Sequence, residues 1–399
     1  MLIPAYLLAW LAGIMTNGEI TTAKGSYYFH GDIAMLGLGG LLVLTFGTVI
    51  PIRPSVRGLV TISSYHVSPR LLTAYGVLSI VGYVYWFKDF LLHPMTIWSA
   101  ILHGGSITYA LRNAIEKSAG IASLAQLGLP YIILYSYTRW TGAEHLISKV
   151  HKSLLLIIVI SVLFRVFAWG ERVALIEAII AIGFIWVTFA EIQSNRLRRL
   201  IPWLPVFGGG LTVILFAVGE YFRSWVSFYH LKGIPFWQFI LQRLTNYYFT
   251  ALNTGAGRLQ VMDWPTYTFE WTLRWVHKLP FFGPAFSSMV GAKPDYFLER
   301  YADPEFNNPS GIFSIYYDLG IVAGFSLLFL VGVLSRYLYS YWRYGSNMFG
   351  CVYFLFLISY MEMFRYFYLG DSRCFMVAIG LFLAQIFKEK GRHSEFVAA

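Results

Sequence analysis

Charged residues are scarce. Asp, Glu, Lys and Arg make up 13% of the 399 residues, against roughly a quarter in a soluble domain, which excludes an ordinary soluble globular protein. Cysteine is nearly absent. Cys351 and Cys374 lie in different apolar runs near opposite ends of them, so no disulfide is expected. The chain also lacks a phosphate-binding loop of the Gly-x-x-x-x-Gly-Lys-Ser/Thr type, Cys or His pairs at zinc spacing, a His-Glu-x-x-His helix and a Gly-x-Ser-x-Gly elbow. ATP hydrolysis and zinc chemistry are therefore not expected, and neither a metal nor any other cofactor is called for. There is no repeat of fixed period, no low-complexity tract and no second soluble domain. Without a basic n-region or a small-residue cleavage site, residues 2–16 read as a retained segment rather than a signal peptide.

What the chain has instead is apolar and aromatic residues, 57% and 19% respectively, with a mean hydropathy of +0.59. Runs of about 17 to 25 apolar residues can cross a bilayer. Such runs occur at residues 2–16, 31–50, 70–88, 121–139, 151–168, 172–191, 200–219, 316–335, 347–364 and 371–387; the first is short. They predict an all-α polytopic membrane protein of about ten transmembrane helices. Residues 1–219 would hold the first seven, 220–312 one large outer loop, and 313–399 the last three and a short inner tail.

The net charge of +10 follows membrane sidedness. With both termini inside, Arg53, Arg57, Arg70, Arg139, Lys149, Lys152, Arg196, Arg198, Arg199, Arg336, Arg343, Lys388, Lys390 and Arg392 all fall on the inner side. The short outer connections carry fewer basic residues, as the positive-inside rule requires. That distribution explains the charge without a nucleic-acid partner. The loop at 220–312 is too long for the rule, and it is no flexible linker, since it contains Trp225, Trp237, Trp264, Trp271 and Trp275. Within it, residues 236–253 predict a helix lying on the membrane surface, with Arg243, Asn246, Thr250 and Asn253 as its polar stripe. A second helical pattern covers 265–278. Residues 92–120 have an apolar centre too short to span and read as a re-entrant or interfacial piece ending in Arg112 and Glu116.

Measured at about 1.5 Å per residue from the inner basic anchors, charges collect at one outer depth. Glu171, Arg172, Glu220, Arg223, Asp318, Glu362, Arg365, Asp371 and Arg373 reach this level, and Arg165 sits somewhat deeper. Taken singly, charges flanking spans are mostly snorkelling or paired residues. Arg165 fits that account least well, because an arginine inside hydrocarbon costs roughly 2.5 to 3.5 kcal/mol unless it meets a partner or a cavity. As a group, converging guanidinium groups suit the oxygens of a lipid-linked phosphate or pyrophosphate. Arg112, Arg243 and Arg258 are placed to join them. Asp318 and Glu220 are the candidate general bases, and His277 is the histidine to test among those on the outer side. Asn308-Pro309 predicts a capped start for the eighth span, and Gly320 and Gly324 a small-residue packing face.

Three stretches resemble the O-antigen polymerase family, the bacterial membrane polymerases of oligosaccharide repeat units. Gly170-Glu171-Arg172-Val173-Ala174-Leu175 is similar to that family's Gly-x-Arg-x-x-Leu start. Arg223 follows the seventh span where the large outer loop begins, as in that family. Asn308-Pro309-Ser310-Gly311-Ile312-Phe313 running into Tyr316-Tyr317-Asp318-Leu319-Gly320 resembles the pattern at the loop's exit, with Leu319 where Phe is usual. The resemblance in overall plan covers nearly the whole chain.

It implies a glycosyltransferase-C-like fold in the bacterial inner membrane, with its active face periplasmic. Its activity would move a growing glycan from undecaprenyl pyrophosphate onto the next lipid-linked repeat unit. Donor and acceptor glycolipids are the implied partners, together with membrane lipids and a possible chain-length regulator protein. Arg112, Arg165, Arg172, Arg223, Arg243, Arg258, Arg365 and Arg373 would hold pyrophosphate, a carboxylate (Asp318 or Glu220) would assist the acceptor hydroxyl, and Trp237, Tyr247, Trp271, Tyr317 and Asn308 would meet sugars. Two alternatives stay open. An O-antigen ligase shares the topology and donor but is expected to carry a histidine where Asn307 and Asn308 stand. A flippase or transporter would place its charges nearer the midplane.

Overall fold

In the computed structural model the described residues are 2–16, 26–51, 65–95, 120–169, 171–193, 199, 203–279, 281–289, 294–303, 306–345 and 348–390. They are mostly helical. The principal helices are α1 (Leu2–Met15), α2 (Gly31–Val49), α3 (Pro69–Trp86), α4 (Gly128–Trp140), α5 (Lys149–Trp169), α6 (Arg172–Gln193), α7 (Leu204–Glu220), α8 (Phe236–Val261), α9 (Gly311–Gly345), α10 (Tyr353–Glu362) and α11 (Ser372–Ile386). Each of the ten apolar runs overlaps one of them. Two, Gly31–Val49 and Gly311–Trp342 within α9, are long and apolar enough to cross a membrane. The strands β1 (Tyr65–Val67) and β2 (Lys388–Lys390) form one short antiparallel pair.

The chain divides into two compact units. The first comprises Met1–Val56, Ile240–Ser340 and Leu355–Phe375, and the second Arg57–Phe239, Tyr341–Phe354 and Met376–Ala399.

In the first unit α2 and α9 pack backbone to backbone. A Cβ added at Gly47 would lie 2.5 Å from the Phe329 carbonyl oxygen, and one at Gly332 2.3 Å from that of Leu44. These glycines, rather than Gly320 and Gly324, allow the close approach. Gly320 is instead a break in α9, with φ 78 and ψ 178. The core beside them is aromatic. Tyr6 and Phe29 meet edge to face at 5.1 Å, and Phe29 reaches Phe249 and Phe313, each at 6.1 Å. Much of the aromatic content is therefore packing material. The Tyr6 hydroxyl donates to the Ala34 carbonyl at 2.8 Å, so its polar end is satisfied inside that core.

In the second unit α3, α4 and α5 form the core. Gly76 lies against Leu154 and Tyr131, and Gly82 against the backbone of Leu124 and Ala125. The run at 121–139 is not one continuous α-helix: Ile121–Leu127 is a 3₁₀ segment that passes into α4 at Gly128. Cys351 in this unit and Cys374 in the first are both buried and free.

Three local expectations are corrected. The helix expected at 236–253 runs on to Val261 and is turned the other way: Arg243, Asn246 and Thr250 are buried, while Trp237 is 66% exposed and Leu241 is also exposed. Residues 265–278 form no helix beyond a 3₁₀ turn at Val276–Lys278. Tyr267 and Phe269 adopt φ of 54° and 57°, outside the helical region. Their neighbours' amides are spent elsewhere: Thr266 N–H donates to Tyr317 O at 2.9 Å and Tyr267 N–H to Asp318 O at 2.8 Å. Finally, α9 starts at Gly311, three residues after Asn308, which is therefore not its N-cap. Ser310, at φ 61, turns the chain into α9, and Gly311 N–H donates to Met363 O at 2.9 Å.

Candidate functional site

The first unit holds two arginine pairs, each sharing one aromatic ring. Arg243 on α8 lies 5.9 Å from the centre of the Tyr247 ring, and Arg365, just beyond α10, lies 5.2 Å from that same centre. Arg243 also faces Phe306 at 4.9 Å. Glu362 balances the pair through a 2.7 Å contact with Arg365. At the second ring, Arg258 lies 4.7 Å and Arg274 5.4 Å from the centre of Trp271. Phe297 adds a further ring to Arg258 at 5.7 Å. Such cation–π contacts hold a guanidinium in place.

One helix face joins the pairs. Arg243, Asn246, Thr250, Thr254 and Arg258 recur at three or four residues along α8, and all are buried. At 1.5 Å per residue the two arginines are about 22 Å apart. The hydroxyls of Thr250, Thr254 and Ser310 are buried and have no hydrogen-bond partner among the described residues. Gly255 brings α8 against the Pro309–Ser310 turn: an added Cβ would lie 2.3 Å from the Pro309 carbonyl oxygen. The stripe thus runs past the entry to α9. Asn253, expected on it, points elsewhere and accepts from the Tyr28 and Phe29 amides at 2.7 and 3.0 Å.

Asp318 has a visible task. Its Oδ2 accepts from Trp271 N–H at 2.9 Å, Thr272 N–H at 2.7 Å and the Thr272 hydroxyl at 2.9 Å. The carboxylate therefore fixes the backbone of the residue whose ring carries Arg258 and Arg274. Oδ1 is buried without a partner among the described residues. Tyr317, beside Asp318, lies within electrostatic reach of Arg258.

The remaining sequence candidates are distributed as follows. Arg165 belongs to the second unit, where it is 2% exposed, bonded to Glu171 (Nε to Oε2 2.7 Å) and stacked on Trp86 at 3.9 Å. That is the paired arginine which the cost of an unpaired one demands. Glu220 ends α7 in the same unit and is fully buried. Arg112 and the side chains of Arg172 and Arg223 lie outside the described residues, as do residues 96–119 of the segment 92–120 expected to be re-entrant or interfacial. Trp237 is exposed and Asn308 partly so.

In the first unit Asp371 Oδ1 accepts the Arg373 amide at 2.9 Å, close to a small basic group. Lys278 donates to the Ser372 hydroxyl at 2.9 Å. Its ammonium is held below the usual lysine range, by desolvation first and then by Arg274 and Arg373, against the pull of Asp371. His277 Nε2 donates to the Thr268 carbonyl at 2.9 Å, a structural bond within the loop. Among the described residues no group of His, Cys, Asp and Glu is arranged to hold a metal ion. Arg274 and Thr254 are the site residues that sequence reasoning passed over. Arg274 follows Trp271 by three, and Thr254 continues the α8 stripe by four, which were the available signals.

No protein-family model, curated protein or solved structure matches this chain.

Proposed function

We propose that the protein is a membrane-embedded glycosyltransferase that polymerises lipid-linked oligosaccharide repeat units. Its donor would be an undecaprenyl-pyrophosphate-linked glycan and its acceptor a second such glycolipid, with both pyrophosphates at the outer face of a bacterial inner membrane. The observation that carries this reading is the presence of two separate arginine pairs in one unit. Transfer between two lipid pyrophosphates needs two anion sites at once, and the Tyr247 and Trp271 pairs supply two, joined by buried hydroxyls suited to polar groups.

The exposed apolar faces support the membrane reading. Val322 on α9 is 82% and Phe46 on α2 64% exposed, while the polar residues of α8 face inward. Apolar outside and polar inside is the arrangement that hydrocarbon selects. The ten-span topology with both termini inside is part of the same proposal. Within it, Arg243, Arg258, Arg274 and Arg365 bind phosphate oxygens. Asp318 acts as a positioning residue for Trp271, because its full burial and its three donors leave it little room to meet an acceptor hydroxyl as a base.

Deletion of the gene in its host is the direct test. Surface glycan should shrink to a single repeat unit while attachment to the core persists. Loss of all attached glycan would assign the ligase reaction instead. In purified protein, Arg258→Ala and Arg243→Ala should each raise KM for lipid-linked substrate roughly ten- to hundredfold, the equivalent of about 1.5–3 kcal/mol for a hydrogen bond to a charged group.

A further inference from the structure

In the first unit the loop that follows Trp271 ends in two phenylalanines turned away from the protein. Phe281 is 90% and Phe282 64% exposed, and Leu273 earlier in the loop is exposed as well. A tight turn sets them there. Gly283 N–H donates to the Leu279 carbonyl at 2.9 Å, and a Cβ added at Gly283 would lie 2.5 Å from the His277 carbonyl oxygen. The turn closes on its own backbone, and the two rings project from it.

The base of the turn is fastened. Trp275 lies flat on Phe375, with ring centres 4.2 Å apart and planes 3° from parallel, and its N–H donates to the Gly370 carbonyl at 3.2 Å. Gly370 in turn abuts the loop, since an added Cβ there would fall 2.3 Å from the Thr272 carbonyl oxygen. Lys278, itself exposed, donates to the Ser372 hydroxyl at 2.9 Å. Its ammonium is thereby held beside the first residues of α11, within electrostatic reach of Arg274, Arg373 and one carboxylate, Asp371. Asp371 Oδ1 is engaged by the Arg373 amide, and Arg274 by the Trp271 ring. Lys278 and Arg373 remain as the basic side chains next to the turn.

We propose that this turn is an interfacial anchor for anionic phospholipid, with Phe281 and Phe282 among the acyl chains and Lys278 and Arg373 on the headgroups. Exposed aromatic rings beside fixed basic groups are what an anionic bilayer surface binds: the rings gain by apolar burial and the cations by attraction to headgroup phosphate. The order along the chain fits a bilayer too. The cations lie at the base of the turn and the rings at its tip, so the rings reach deeper. This inference rests on the membrane reading proposed above, but not on glycan transfer: its ligand is a lipid of the membrane itself, and Arg258 and Trp271 take no part in holding it.

The test places the full chain in vesicles of phosphatidylcholine and phosphatidylglycerol. Cys351 and Cys374 are buried, so a fluorophore can be directed to Phe281→Cys, with Glu299→Cys, an exposed position in the same unit, as control. Doxyl groups on the acyl chains should quench the label at 281 several-fold more than the label at 299, and aqueous iodide should do the reverse. Equal iodide access at both positions overturns the anchor. So does a label at 281 shielded from both quenchers, which would make the turn a contact between protein chains. For the headgroup, native mass spectrometry of the detergent-purified chain should show phosphatidylglycerol retained at least tenfold better than phosphatidylcholine, the advantage expected of two basic residues at an anionic surface. Lys278→Ala combined with Arg373→Ala should remove that preference; its persistence would overturn the assignment to these two residues. Equal retention of the two lipids by wild type overturns the anionic specificity, whether or not the double variant folds. Recovery of the chain in the soluble fraction without detergent would sink the membrane reading itself, whereas a membrane-embedded chain with the 281 label in water sinks the anchor alone.

Discussion

At the residue scale the most informative side chain is Asp318. Three donors converge on one of its oxygens, so its removal leaves the amides of Trp271 and Thr272 without an acceptor in a buried place, at about 1–3 kcal/mol each. Asp318→Ala should therefore lower the melting temperature and abolish transfer together. Asp318→Asn keeps an acceptor oxygen and should retain measurable chain growth. An Asn variant that folds normally yet transfers nothing would make the charge itself chemical, and Asp318 a base after all. Arg165 makes the complementary point. Its use is internal: Glu171 and Trp86 absorb it.

His66 gives a prediction in pH. It is buried on β1, and burial first, then His145, holds its imidazole below the ordinary value. Between the folded pKa and about 6.5 the unfolded chain binds more protons than the folded one, so stability must rise with pH across that window. Thermal melts of purified protein should show the melting temperature falling as pH drops below about 6.5, and His66→Gln should flatten that slope. An unchanged slope would remove His66 from the account.

At the element scale, apolar runs predicted the helices well because a run of about twenty apolar residues kept from water, as in lipid, has few other ways to satisfy its backbone. Which way a helix faces was harder to read. The polar stripe of α8 was visible as a spacing of three and four from Arg243 to Thr250, yet the usual assumption that polar faces meet solvent turned it outward. In a fold whose outside is apolar, the same stripe belongs inside, and Trp237 and Leu241 take the exposed side. The loop 265–278 carries a helical pattern that loses to long-range bonds: the carbonyls of Tyr317, Asp318 and Gly370 compete for amides that a helix would use internally. Nothing local in residues 265–278 announces those partners, which lie 46 to 51 positions away for Asp318 and Tyr317. The two arginine pairs were half legible for the same reason, since Tyr247 and Trp271 become shared rings only once α8, the loop and the end of α10 are folded.

The α2–α9 crossing can be tested at this scale too. Gly332→Leu must push a side chain into the Leu44 carbonyl and should destabilise by roughly 1–3 kcal/mol. Gly210→Leu, where nothing lies within 4 Å of an added Cβ, is the matched control and should leave the melting temperature unchanged.

At the scale of the whole molecule, low charge, abundant aromatics and a net charge of +10 have separate causes. The aromatics build cores around Tyr6 and Phe29 and frame the arginines. Part of the basic excess sits in the two pairs at Tyr247 and Trp271, where membrane orientation does not require it. The central claim is that these two pairs hold two lipid pyrophosphates for glycan transfer. Its most direct measurement is to incubate the purified protein with lipid-linked repeat units and resolve the products by length. The account predicts a ladder of increasing repeat number, undiminished by chelator and lost when Arg258 and Arg243 are both replaced by alanine. Persistence of the single-repeat lipid in the wild-type reaction, or an equal ladder from the double variant, would contradict it.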